Sequence, residues 1–380
     1  MNEARERALL ITRNLPPVIG GMERLIGHVV AALASEYETA VVGPRGARLD
    51  TPPIAFYDCP LSPPVRFLAV AGRKGWQAAK RHRPQLVFAG SGLTAPIARL
   101  AARKSGARYA VYLHGLDIAT PHPIYRRFFV PAIRGADLVI ANSHYTAGLA
   151  DLAGVPSARI RILHPGVEIP ASVPDHEQAA QAFRARYKLP AGPIILGAGR
   201  LTPRKGFTDF VAHGLPAILE AIPEAQFVVA GEVPRHAAQH DGNEAEAIRR
   251  AASAAGISEH VHLIGPLDDA GLALAWPATD VHVFPLRDDP RDPEGFGMVA
   301  LEAAAWGVPT VAFAAGGVRD AIAENESGHL VPPGDYAAFA GATIEALHQR
   351  SNSTKRARAV AERHAWPRFD AQLLQLLQTV

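Results

Sequence analysis

Pro193-Ile194-Ile195-Leu196-Gly197-Ala198-Gly199-Arg200-Leu201-Thr202-Pro203-Arg204-Lys205-Gly206 decides how this chain is organised. A short apolar run ends in a turn shaped by Gly and Pro, the pattern of a buried strand feeding a loop and then a helix. It follows a break at Pro170-Ala171-Ser172-Val173-Pro174 and a charged helix at 177–187, so it opens a second series of elements. After it, strands are predicted at 226–230, 261–264, 281–284, 310–312 and 328–331. Before it they are predicted at 8–12, 39–42, 85–89, 109–113, 138–141 and 161–163, with helical stretches such as 22–34 and 94–102 between them. Strands alternating with helices predict an α/β chain of two doubly wound domains around mostly parallel sheets, with a hinge near residues 170–192. Such domains bind ligands beyond the carboxyl ends of their strands, which makes the cleft between them the expected site.

Composition narrows the class. The 380 residues are 48% hydrophobic and 20% charged, values of a globular chain rather than a disordered one, and long enough for two cores. The single Cys59 excludes an internal disulfide framework and a multi-Cys metal cluster, and fits a reducing compartment. No apolar run approaches the roughly 20 residues of a membrane span. The opening charges and short apolar run lack a small-residue cleavage site and read as a first strand, so the expected location is cytoplasmic.

Charge is divided by sign. Residues 1–170 hold 21 Lys and Arg against 11 Asp and Glu, whereas residues 171–380 hold 18 against 25. The first half is therefore suited to an anionic partner. Its densest stretch carries Arg66, Arg73, Lys74, Lys80, Arg81 and Arg83 among Phe67, Leu68, Val70 and Trp76, as in a helix resting on an anionic membrane surface. Tyr125-Arg126-Arg127-Phe128-Phe129 has a similar character. An ordinary amphipathic helix with solvated cations accounts for the same pattern. No nucleic-acid-binding motif accompanies the charge, so no nucleic-acid partner is expected.

Gly90-Ser91-Gly92-Leu93-Thr94-Ala95 follows a strand and matches a dinucleotide fingerprint, with Asp117 at the distance of a ribose-binding acid. It is not in the first strand–helix–strand unit, however, and Asp117 lies past His114-Gly115 rather than at a strand end. Gly90 and Gly92 are better read as permitting a tight turn.

Four segments past predicted strands carry groups suited to a sugar diphosphate. Gly20-Gly21 precedes a helix and lets backbone N–H groups approach an anion. His114 stands at a strand end, where a ring nitrogen can donate to a sugar hydroxyl or phosphate. Arg200 and Lys205 leave the strand end quoted above, and two cations there suit a pyrophosphate. Finally, Glu294-Gly295-Phe296-Gly297 opens a helix that carries Glu302; the glycines leave N–H groups for phosphate, and the two carboxylates suit sugar and ribose hydroxyls. A turn, a structural His, an exposed basic loop and a capped helix are the plain alternatives to each.

Together Gly20-Gly21, His114-Gly115, Gly199-Arg200-Leu201 with Lys205-Gly206, and Glu294 with Glu302 resemble the retaining GT-B glycosyltransferases of family 4. The resemblance runs along the chain through Asn142-Ser143, His164-Pro165-Gly166-Val167, Gly307-Val308-Pro309-Thr310, Ala315-Gly316-Gly317 and Gly328-His329-Leu330-Val331. In look it is similar to bacterial mannosyltransferases of the phosphatidylinositol-mannoside type. It implies two Rossmann-like domains with a deep cleft: residues 1–172 on the acceptor side, completed by a crossover helix in 364–380, and residues 173–363 binding the nucleotide sugar.

The resemblance also implies roles. Arg200 and Lys205 would neutralise the donor diphosphate, Glu302 would hold the ribose, Glu294 and His114 would face the sugar as catalytic groups, and Gly20, Gly21, Gly295, Phe296 and Gly297 would line the donor. The base would lie near Gly265 and Pro266. The substrates would be a nucleotide-diphosphate hexose, GDP-mannose among the candidates, and a glycan or lipid-linked acceptor of envelope or polysaccharide synthesis, handled by a protein peripheral to the inner face of the cytoplasmic membrane. Val233 stands where many relatives have Gly, which would crowd a ligand at that loop. The chain contains no Asp-x-Asp triplet, and beside two candidate cations this predicts a site without metal or other cofactor. The competing functions are a nucleotide-sugar epimerase or phosphorylase on the same fold, a noncatalytic nucleotide-sugar binder, and an NAD oxidoreductase.

Overall fold

The computed structural model describes residues 5–18, 20–49, 51–232 and 243–379; Val233 therefore lies outside the described residues. By internal packing the chain divides into two units. One comprises Met1–Gly166, Arg291–Phe296 and Trp366–Val380, the other Val167–Pro290 and Gly297–Ala365.

The first unit is built on seven parallel strands: β1 (Arg7–Ile11), β2 (Glu38–Pro44), β3 (Ala55–Cys59), β4 (Leu86–Ala89), β5 (Arg108–Leu113), β6 (Leu138–Ala141) and β7 (Ile160–Ile162). Their order across the sheet is β3-β2-β1-β4-β5-β6-β7. Leu9, Ile11, Val87, Ala89, Val111 and Val139 are fully buried in one core, as expected of central strands covered on both faces. The helix Gly21–Glu36 buries Leu25, Ile26, Val29, Val30 and Leu33, a helical-period stripe. The strand order reverses between β1 and β4, so the loops following those two strands flank the crevice where such sheets bind ligands.

The second unit repeats the plan with β8 (Ile194–Ala198), β9 (Gln226–Ala230), β10 (Val261–Gly265), β11 (Val281–Phe284), β12 (Thr310–Phe313) and β13 (Gly328–Val331). The order is β10-β9-β8-β11-β12-β13, again all parallel, with the reversal between β8 and β11. Phe207, Phe210, Phe227, Phe313 and Phe339 are buried in its core. Phe210 meets Phe227 edge-on at 5.0 Å between ring centroids, a geometry worth about 1 kcal/mol beyond area burial.

The C-terminal helix Trp366–Gln378 packs in the first unit, against the helix Gly21–Glu36. Trp366 lies flat on His28 at 3.7 Å, and a side chain at Gly166 would collide with its indole. This is the crossover of a GT-B fold, with a Rossmann-like sheet in each unit.

Candidate active site

In the second unit, β8 delivers the cationic loop. Gly199 has φ +136° and Gly206 φ +71°, backbone positions that suit Gly, and a Cβ at Gly206 would run into the Pro285 carbonyl that follows β11. The loop is thereby held beside the reversal point. Lys205 is only 8% exposed, and its ammonium lies 4.4 Å from the centroid of the Phe284 ring. A ring face stabilises a cation while leaving it able to meet an anion. Below it, burial holds His282 neutral, its pKa pushed down to about 3, with the positive charge of Lys205 contributing. Arg200 is exposed at the strand end. Arg287 is engaged elsewhere, with a two-pronged bond to Asp209 at 2.6 and 2.8 Å.

Gly297 precedes the helix Met298–Ala305 with φ +94°, and no side chain caps that helix. A Cβ at Gly297 would stand 3.1 Å from Phe284 and from Val318. Glu302 is half-buried on this helix. The Gly265 carbonyl accepts from Gly231 N–H at 2.9 Å, and Pro266 beside it is exposed.

In the first unit the site residues gather past β1, β4, β5 and β6. His114 ends β5 and is 9% exposed. Its Nε2 lies 2.8 Å from the Gly90 carbonyl, which can only accept, so Nε2 carries a hydrogen.

Residues Arg291–Phe296 belong to this unit too. The Gly295 carbonyl accepts from Ser143 Oγ at 2.7 Å, and any side chain on Gly295 would collide with the His114 carbonyl. Asn142 Nδ2 donates to that same carbonyl at 3.2 Å. Phe296, expected to line the donor, is 2% exposed, and its ring stacks on His164 at 5.4 Å. Glu294 is half-buried at the start of this segment.

Gly20 and Gly21 begin the first helix after β1, without a side-chain cap. Beside them stands a carboxylate to which the sequence reading gives no role. Glu23 is 7% exposed and accepts from Asn14 Nδ2 at 2.7 Å, and a Cβ on Gly20 would strike its Oε2.

The apparent dinucleotide fingerprint is absorbed by local packing. A Cβ at Gly90 would stand 2.7 Å from Thr12 Oγ1, and one at Gly92 2.8 Å from the Tyr125 hydroxyl. Asp117 accepts from three backbone N–H groups, those of Gly92, His114 and Gly115, instead of awaiting a ribose.

The basic stretch forms the helix Pro64–His82. Arg66, Arg73, Lys80, Arg81 and Arg83 are exposed. Lys74 is not a solvated cation: it donates to the Asp58 carbonyl and pairs with Asp58 Oδ1 at 3.0 Å. Phe67 is fully buried, so of the apolar residues expected to alternate with cations on a surface, Trp76 alone is exposed. Among the described residues, no helix is long and apolar enough to cross a membrane.

Comparison with known proteins agrees with this architecture. Residues 19–169 match the family model "Glycosyltransferase Family 4", and residues 180–364 match "Glycosyl transferases group 1". The chain belongs to the family-4 glycosyltransferases: it is a GT-B enzyme that transfers a sugar from a nucleotide-sugar donor to an acceptor. It is 30% identical over 388 residues to the GDP-mannose-dependent α-(1-6)-phosphatidylinositol monomannoside mannosyltransferase of Mycolicibacterium smegmatis, covering 97% of each chain. Identity to the protein of the same name in Mycobacterium tuberculosis is 28%, over 98% of each chain. Among solved structures, HepE of Anabaena in complex with UDP and glucose has a TM-score of 0.78 at 20% identity, covering 99% of this chain and 100% of that one. Sucrose-phosphate synthase of Thermosynechococcus elongatus has a TM-score of 0.78 at 21% identity, covering 99% of each. These two likenesses concern the fold.

Proposed function

We propose that the chain is a retaining, metal-independent mannosyltransferase that takes mannose from GDP-mannose and gives it to a lipid-linked acceptor at the inner face of the cytoplasmic membrane. Full-length similarity to the GDP-mannose-dependent enzymes supports the donor and the acceptor class. The observation that carries the site is Lys205, a nearly buried ammonium on a ring face at the reversal point of the second sheet. With Arg200 it neutralises the diphosphate, the task a divalent cation performs in metal-dependent transferases. Glu302 binds the ribose, and the Gly265-Pro266 loop lies at the base. Glu294 and His114 meet the sugar, while Gly20, Gly21, Gly295 and Gly297 supply backbone to the donor.

In transfer, the bond from the anomeric carbon to the diphosphate oxygen breaks as the acceptor oxygen bonds to that carbon from the same face. The acceptor's proton passes to the departing phosphate. Charge grows on that phosphate as the bond breaks, so fixed positive groups stabilise the transition state more than the ground state.

Lys205→Ala is expected to lower kcat by about 10²- to 10³-fold, the usual effect of removing one such group. GDP-mannose is expected to raise the Tm of the wild-type protein, with or without EDTA, more than UDP-glucose does. A larger shift with UDP-glucose would reassign the donor, a shift abolished by EDTA would end the metal-independent reading, and wild-type turnover in Lys205→Ala would sink the site.

A further inference from the structure

The turns following β4 and β5 are joined by hydrogen bonds at two levels. At the backbone, Asp117 Oδ1 accepts from His114 N–H at 2.9 Å and from Gly115 N–H at 3.1 Å, while Oδ2 accepts from Gly92 N–H at 2.8 Å. At the side chain, His114 Nε2 donates to the Gly90 carbonyl at 2.8 Å. His114 is therefore gripped by its main chain and by its ring, and both grips lead to residues 90–92.

The first pair of bonds is what any acid in the opening turn of a helix would make, and Asp117 lies in the opening turn of Leu116–Ala119. The bond to Gly92 is different. It reaches 25 residues back in sequence to the turn of the neighbouring strand, and the short helix does not need it. Both turns run close to neighbouring atoms: a Cβ at Gly92 would stand 2.8 Å from the Tyr125 hydroxyl and one at Gly115 2.9 Å from Gly295 Cα. A carboxylate bound by three N–H groups makes charge-assisted bonds, stronger than neutral ones.

We propose that Asp117 is a positioning residue for sugar transfer: its carboxylate locks the β5 turn to the β4 turn and so fixes the orientation in which the His114 imidazole, held at Nε2 by the Gly90 carbonyl, meets the donor sugar. The inference rests on the reading of His114 as a group that meets that sugar. Asp117 touches no substrate. Asp117→Asn preserves shape but turns one acceptor oxygen into an NH2 group, so either Gly92 N–H or the His114 and Gly115 pair loses its partner.

The test is a double-mutant cycle on the full chain, with GDP-mannose as donor and water as acceptor, following GDP release. Asp117→Asn is expected to lower kcat about 30-fold with KM for GDP-mannose changed less than twofold, because misplacing a reacting group by an ångström or less costs on that scale. In a His114→Ala background the same substitution is expected to change kcat less than twofold. An equal fall in both backgrounds would show that Asp117 acts on the fold and not through His114, and would overturn the proposal. So would an unchanged kcat for Asp117→Asn alone. A wild-type kcat for His114→Ala would instead remove the reading of His114, a distinguishable failure. Should Asp117→Asn lose the wild-type circular dichroism, Asp117→Glu, which keeps the charge and displaces it by one methylene, enters the same cycle with the same two outcomes.

Discussion

Single side chains in this protein show how far chemistry can be read from position. His114 and Arg200 stand out in the sequence because each lies just past a strand, where doubly wound sheets present their groups, and Lys205 because it closes the loop that follows β8. The ribose-binding reading of Asp117 was set aside from the sequence, but its actual partner was not legible there, because Gly92 becomes its neighbour only once β4 and β5 lie side by side. Glu23 and Ser143 escaped for the same reason, since their partners Asn14 and Gly295 are supplied by folding. Asp370 was invisible in sequence altogether. Its Oδ1 is buried without a hydrogen-bond partner, and burial raises its pKa to about 6. The native state then keeps a proton that the unfolded chain, with an ordinary value near 3.8, has lost. Stability should fall as pH rises from about 4 to about 6 and stay lower above that window. Asp370→Asn is expected to raise Tm at pH 7.5 and to leave it unchanged near pH 4, as thermal unfolding at the two pH values will show.

At the scale of elements, twelve of the thirteen strands among the described residues were predictable, the central ones because they are near-continuous apolar runs. The exception is β3, Ala55–Cys59, an edge strand in which only Cys59 is buried. Pairing with β2 alone makes it a strand, and its own pattern does not announce one. The C-terminal helix was legible as amphipathic, but its buried stripe is narrower than its apolar one. Trp366, Phe369, Leu373 and Leu377 are buried, whereas Leu374 and Leu376 are only partly covered. Leu373→Ala should therefore cost about 2–5 kcal/mol in denaturant unfolding, and Leu376→Ala far less.

For the whole molecule, the opposite charges of the two halves are the feature with a physiological reading. The exposed cations on and beside the helix Pro64–His82 support attachment to anionic lipid, each worth about 1 kcal/mol at such a surface. The protein is expected to co-sediment with vesicles containing phosphatidylglycerol but not with phosphatidylcholine alone. Replacing Arg73, Lys80 and Arg81 together by Glu is expected to abolish that, with Lys74 left in place because it is paired with Asp58. Co-sedimentation indifferent to lipid charge would remove the membrane reading. The C-terminal helix adds an ordering in time. During synthesis the ribosome releases the second unit before it releases Trp366, Phe369, Leu373 and Leu377, the residues that finish the first unit's core. Domains tend to fold as they emerge, yet here the first unit lacks part of its covering until the segment from Trp366 has been made. A chain clipped before residue 366 would lack that covering on the unit that carries His114.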